Sequence, residues 1–178
     1  MPLYGNPQLT GVEQTFGADE IIVSKTDLTG KITYGNRTFY RLAEMDEKDC
    51  LGIQHNLIRH PDMPRGVFKL LWDTLKSGKE LFAYVVNRAA NGDHYWVFAH
   101  VTPSRDAGDN VCGYHSNRRA PNRTTLNEHI IPLYGSLLQI EKQAASPDAG
   151  ITASCAALTA LLAEKKASFN EFMFSLGV

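Results

Sequence analysis

The chain has 178 residues, with 18 Lys+Arg against 19 Asp+Glu and a formal net charge of -1. That length fits one compact domain with an appendage, and a charge so near zero lacks the field with which a protein grips many phosphates, which argues against non-specific nucleic-acid binding. The 3 cysteines, Cys50, Cys112 and Cys155, are widely spaced and form no CxxC or Cys/His pattern, so neither a disulfide framework nor structural zinc is expected, and a reducing, cytoplasmic setting is the default.

Met1 to Gly17 carries Pro2, Gly5, Pro7 and Gly11 among polar residues, with no basic leader ahead of an apolar run. It reads as an arm rather than a secretory signal. Two β-rich runs, Ile21 to Ser24 and Lys31 to Tyr34, flank the turn sequence Asp27-Leu28-Thr29-Gly30 and predict a hairpin. Asn36 precedes Phe39, Tyr40, Leu42 and Ala43 and is placed to cap a short helix. The stretch from Asp46 to Met63 is irregular and polar, with Gly52, His55, Asn56, Arg59, His60, Pro61 and Asp62. A polar segment between apolar elements is where function concentrates.

Pro64 stands at the start of a helix in which Val67, Phe68, Leu70, Leu71, Trp72 and Leu75 recur with helical spacing until Gly78, and Asp62 is the expected cap. Three strands follow. Glu80 to Arg88 is joined to Asp93 to Ser104 by the two-residue hairpin signal Asn91-Gly92. Alternation puts Tyr95, Val97, Ala99 and Val101 on one face of the second strand and Trp96, Phe98 and His100 on the other. A turn through Asp106 to Asn110 leads to Val111 to Asn117. Two strands, helical segments and a three-strand meander predict an α+β domain built on a five-stranded antiparallel sheet.

Beyond Pro121, the residues Leu126, Ile130, Leu133, Leu137, Leu138 and Ile140 form a helical stripe that Pro132 must kink or begin. Ala144 to Gly150 reads as a linker, Ile151 to Lys166 as an Ala-rich helix, and Phe169, Phe172, Met173 and Leu176 as a last amphipathic turn or two. Its most apolar run, Cys155 to Ala163, is far short of the roughly 20 residues that span a bilayer, so no membrane insertion is expected. The tail is too apolar for a disordered linker and is expected to pack on the domain, on a second copy in a homodimer, or on a partner. The organisation is therefore an arm at 1–17, a core domain at 18–121 and a helical extension at 122–178.

This order of elements is that of a PAS domain with helices on one face of its sheet, and the motifs narrow it further. His55-Asn56-Leu57-Ile58-Arg59-His60-Pro61-Asp62-Met63-Pro64, then Trp72 and Gly78, then Asn87-Arg88 and Asn91-Gly92-Asp93-His94-Tyr95-Trp96-Val97 resemble the FAD-binding PAS domain of bacterial aerotaxis receptors over roughly Ala18 to Ala120. The resemblance implies a non-covalent FAD between sheet and helices, used in redox or oxygen sensing rather than in turnover. Carried over position by position, the flavin-binding residues are Asn36, Arg59, His60, Asp62, Trp72 and Asn87. Such residue types suit a flavin: an aromatic wall for the ring, amides for its polar edge, cations for its pyrophosphate. Trp72, Asn87 with Asn36, and Arg59 with His60 match these needs in that order. The chain departs from the family where a Pro-Trp pair is replaced by Glu80-Leu81, which offers less stacking area. FMN, haem or no cofactor are the alternatives to FAD, the last making the domain an interaction or dimerisation module.

The expected partner is a signalling protein, a chemotaxis or histidine-kinase component. No fingerprint for a pyridine nucleotide suggests an enzyme. No HxxxH or HxH spacing links His55, His60, His94 and His100, so no metal site is expected. Cys50 invites comparison with light-sensing flavin domains that form a cysteinyl adduct, but it stands in no reactive motif and is expected to be inert.

Overall fold

The computed structural model of the chain describes residues 8–177. Strands β1 (Ile22–Thr26) and β2 (Ile32–Gly35) form the first hairpin. Asp27 Oδ1 accepts from the backbone N–H groups of Thr29 and Lys31, and Gly30 supplies the positive φ of 83° that closes the turn. Helices α1 (Arg37–Ala43) and α2 (Glu47–Cys50), a single 3-10 turn at His55–Ile58 and helix α3 (Arg65–Lys76) follow. The meander is β3 (Leu81–Arg88), β4 (His94–Arg105) and β5 (Val111–Arg119). The five strands pair antiparallel with one another in the order β2-β1-β5-β4-β3. The α+β sheet architecture expected from the sequence is the one found.

The β3-β4 connection differs from the two-residue turn expected. Ala89 N donates to Asp93 O at 2.8 Å, leaving Ala90, Asn91 and Gly92 as a three-residue loop with Gly92 at φ 97°. The left-handed residue is the glycine that closes such a loop. Along this hairpin runs the described part of the arm, through Thr10 N to Gly92 O, His94 N to Val12 O and Gln14 N to His94 O. The readings made above for residues 1–7 lie outside the described residues.

Strand register fixes two unlike faces. Val85 opposite Val97, Ala83 opposite Ala99, Ala99 opposite Arg118, and Ser24 opposite Ser116 share the inner face, against which α1 to α3 pack. The outer face carries Phe82, Tyr84, Trp96, Phe98 and His100. It is not left to solvent. The extension comprises α4 (Arg123–Thr125), a π-helical turn at Leu126–Ile130, α5 (Ile131–Gln143), α6 (Pro147–Lys165) and α7 (Phe169–Ser175). Of the destinations expected for this tail, its own domain is the one seen. Phe174 meets the rings of Phe82 and Phe98 at 4.7 and 6.1 Å, and Tyr134 lies 6.1 Å from Trp96. The helices of the domain thus lie on one face of the sheet, as expected, and the extension packs on the other.

Two details of the extension depart from expectation. The stripe buried by the π turn and α5 is Leu126, Ile130, Tyr134 and Leu137, with Tyr134 in place of Leu133. Pro132 falls in the first turn of α5, directly after the π turn that accommodates its missing N–H. The 144–150 linker is shorter than expected because Ser146 Oγ accepts from Ala149 N and starts α6 at Pro147. Gly150 is thus inside a helix, where a Cβ would lie 2.8 Å from Glu141 O, and its absence lets α5 and α6 cross closely. Among the described residues no helix is long and apolar enough to cross a membrane.

Candidate functional site

A cavity of about 60 Å³ lies between the inner face of the sheet and the segment from Ile58 to Leu75. Its apolar wall is Ile58, Phe68, Leu71, Trp72, Leu75, Val85, Ala99 and Val101. Trp72 stands edge-on to Tyr114 at 5.4 Å and Phe68 edge-on to Trp72 at 6.5 Å. Period-two alternation then brings polar residues from three strands to the same space: Ser24 and Thr26 on β1, Asn87 on β3, Ser116 and Arg118 on β5.

Four of these lining residues leave a buried polar atom without a hydrogen-bond partner: Thr26 Oγ1, Asn87 Nδ2, Ser116 Oγ and Arg118 Nη1. Tyr40, Tyr95 and Ser154 do so elsewhere. Buried polar groups are nearly always paired, so four around one small cavity with apolar walls identify a place built to receive hydrogen-bonding groups. A flat ring with a polar edge fits that donor and acceptor set.

Arg118 Nη2 donates to Ser24 Oγ at 2.7 Å and lies 2.8 Å from His55 Nε2, while the guanidinium sits 5.8 Å from the Phe39 ring centre. Facing a permanent donor, His55 Nε2 must be the unprotonated acceptor. Burial of the ring, and secondly the charge of Arg118, push the His55 pKa down to about 3. Burial also draws Arg118 down to about 10, which leaves it charged at neutral pH.

The six residues carried over from the family fall into three groups. Arg59, Trp72 and Asn87 line the cavity, Arg59 with Nη2 donating to Met63 O at 2.7 Å. His60 and Asp62 lie in the adjoining loop: His60 is buried, its Nδ1 accepts from Asp62 N at 3.1 Å, and its ring is 5.5 Å from that of His94. Burial lowers the His60 pKa, opposed by the Asp62 carboxylate. Asn36 faces away. Its Oδ1 accepts from Phe39 N and Val23 N at 3.0 Å each, and its Nδ2 donates to Ile21 O at 2.7 Å, so the side chain is the expected helix cap and also ties α1 to β1.

Asp62 does not cap α3. The N–H groups of Arg65 and Gly66 donate to the carboxylate of Glu141 on α5, at 3.1 and 2.9 Å. An acidic side chain suits this end of a helix, but its source is 75 residues away in sequence. Arg59 also borders a larger outer cleft of about 570 Å³, shared with Pro61, Arg65, Lys142 and Ala144 to Pro147. Cys50 is buried, apart from the cavity lining, and burial pushes its thiol up to about 11, so it is unreactive. Leu81, at the family's tryptophan position, is buried at the start of β3 and does not line the cavity.

Sequence reading missed Arg118, Ser24, Thr26 and Ser116. The available signal was parity: Tyr114, Ser116 and Arg118 alternate as strictly as the apolar strand residues, once β5 is carried two residues past Asn117.

Comparison with known proteins agrees with the geometry. A family profile described as PAS fold matches residues 32–118. The aerotaxis receptor of Escherichia coli (strain K12) is 38% identical over 134 residues, 74% of this chain and 26% of the receptor. A nitrogen fixation regulatory protein of Klebsiella pneumoniae is 29% identical over 94 residues, 53% of this chain and 18% of that protein. The chain thus spans about a quarter or less of the length of these relatives. Among solved structures, the dark state of the blue-light photoreceptor Aureochrome1 LOV aligns with a TM-score of 0.53 at 21% identity, covering 67% of this chain and 86% of that one. A PAS domain from Colwellia psychrerythraea aligns at 0.52 with 15% identity over 57% of this chain and 86% of the other. At such identities these structures support the fold.

Proposed function

The chain carries a PAS domain related to that of the aerotaxis receptor, and we propose that this domain is a flavin-binding sensor, with FAD as the cofactor and a signalling protein of the chemotaxis or kinase type as the partner, acting in the cytoplasm and not as an enzyme. The observation that carries this reading is the ring of unpaired polar atoms, Thr26 Oγ1, Asn87 Nδ2, Ser116 Oγ and Arg118 Nη1, in an apolar-walled cavity. Trp72 and Phe68 supply a flat wall, Asn87 and Ser116 the hydrogen bonds to a polar ring edge, and Arg59 a cation at the boundary with the outer cleft, where phosphates remain solvated. A bound flavin would supply a redox-dependent pattern of donors and acceptors to those residues. At about 60 Å³ the cavity is below the roughly 300 Å³ at the lower end of small-molecule sites, so binding requires Trp72 and α3 to give way.

The absorption spectrum of the purified protein tests the reading. Flavin bands, or uptake of added FAD on titration with quenching of its fluorescence, are expected. Colourless protein that takes up no FAD refutes it, and release of FMN or a Soret band replaces the cofactor by FMN or haem. The narrow cavity favours a second reading, a cofactor-free interaction module, which the colourless outcome would leave standing.

A further inference from the structure

The outer cleft of about 570 Å³ shares a single lining residue, Arg59, with the inner cavity. Its volume falls within the roughly 300–1,000 Å³ of small-molecule sites. Its charge is one-sided: Arg59, Arg65 and Lys142 line it against one carboxylate, that of Glu141. Both oxygens of that carboxylate are already engaged, by the N–H groups of Arg65 and Gly66 at 3.1 and 2.9 Å. Asp62 and Asp148 are next in sequence to lining residues but stay out of the lining, and Asp62 Oδ2 lies 3.7 Å from His60 Nδ1. Among the described residues none of the three cations has a carboxylate within ion-pair distance. The crowding is felt at Arg59, whose pKa is lowered by burial and next by the charge of Arg65, with Glu141 opposing both. Like charges gathered in one concave wall favour an anion among them. Beside the cations, Pro61, Leu138 and Pro147 give the cleft an apolar side, which suits an organic anion better than a bare inorganic one.

We propose that the outer cleft is a second ligand site, separate from the inner cavity, that takes an organic diphosphate of nucleoside-diphosphate size. Its own cations stand on two different helices, Arg65 at the start of α3 and Lys142 near the end of α5, so two linked phosphates give each a partner. The organic body packs against Pro61, Leu138 and Pro147. This does not rest on the flavin reading. A ligand so placed ties the first turn of α3, the helix that carries Trp72, to the corner between α5 and α6.

Isothermal titration calorimetry of the full chain as purified, with ADP as the probe, tests the proposal. ADP is expected to bind, and adenosine to bind about tenfold more weakly or worse, because the cations act on the phosphates. Arg65 and Lys142 are exposed, so the double variant Arg65→Gln, Lys142→Gln should keep the melting temperature of the ligand-free protein while weakening ADP by about tenfold or more. Asn87→Leu, a change in the inner cavity, should leave the ADP affinity as in the wild type. Absence of binding at millimolar ADP, adenosine or inorganic sulfate binding as tightly as ADP, or an affinity that the double variant does not change overturns the proposal. Loss of ADP binding in Asn87→Leu, or displacement of ADP by saturating FAD, also overturns it, because the cleft would then belong to the inner site. Protein that takes up no FAD and still binds ADP supports this site and refutes the flavin reading alone, so the two fail separately.

Discussion

The two faces of the sheet are built on opposite terms. On the outer face polar groups are closed off by the extension: Tyr134 Oη donates to Tyr84 O at 2.6 Å, Phe82 N donates to Asn170 Oδ1 at 2.9 Å, and Asn170 Nδ2 donates to Glu80 O at 3.2 Å. The edge strand β3 is thereby capped by side chains rather than by another strand. On the inner face the strands bring together hydroxyl, amide and guanidinium groups and leave four of the atoms unpaired. One face is finished by the chain itself, and the other keeps polar atoms unpaired around a cavity. On the proposed reading, recognition belongs to the inner face.

The sharpest way to break that contrast is to remove outer packing. Phe172 is 7% exposed on α7 and part of the core, so Phe172→Ala should cost about 3–5 kcal/mol in urea denaturation. A cost under about 1 kcal/mol would mean that the extension is a loose cover. The inner face should respond with the other sign. Asn87→Leu removes an unpaired buried amide, so the ligand-free protein should melt at the same temperature or higher, within about 1 kcal/mol. The same change should weaken FAD uptake by about tenfold or more. A destabilised variant with normal uptake would reverse the roles assigned to the faces.

A further expected effect is a pH dependence centred on the inner face. The folded protein holds His55 neutral down to about pH 3, whereas its ordinary pKa is 6.5. The unfolded chain then binds the extra proton between these values. The contribution is fully present above pH 6.5, is lost progressively as pH falls, and stops changing below about pH 3. Denaturation midpoints measured across this window should fall less steeply in His55→Gln than in the wild type. Identical slopes would show that the ring titrates freely.

Much of this contrast was legible in the sequence because it follows from local rules. Alternation assigned Tyr95, Val97, Ala99 and Val101 to one face and Trp96, Phe98 and His100 to the other, and the structure keeps that division. Asn36 was readable as a cap because capping is decided within three residues. Arg118 was not, since two arginines at the end of a strand look like the start of a loop until β1 and β4 are known to flank them. Glu141 was hidden for a stronger reason. Nothing near position 65 indicates that a carboxylate will arrive from α5, so the nearer Asp62 was the natural choice.

That carboxylate has a mechanical consequence. Helix α3 carries Trp72, the wall that must shift for the cavity to widen, and its first turn is bonded to Glu141. A Cβ on Gly66 would collide with Ser154 of α6, just as one on Gly150 would collide with Glu141, so α3, α5 and α6 meet with backbone nearly against backbone. Joints this tight have no slack. Any outward displacement of Trp72 with its helix would therefore load α5 and α6 directly, and α6 runs for 19 residues beyond the cavity.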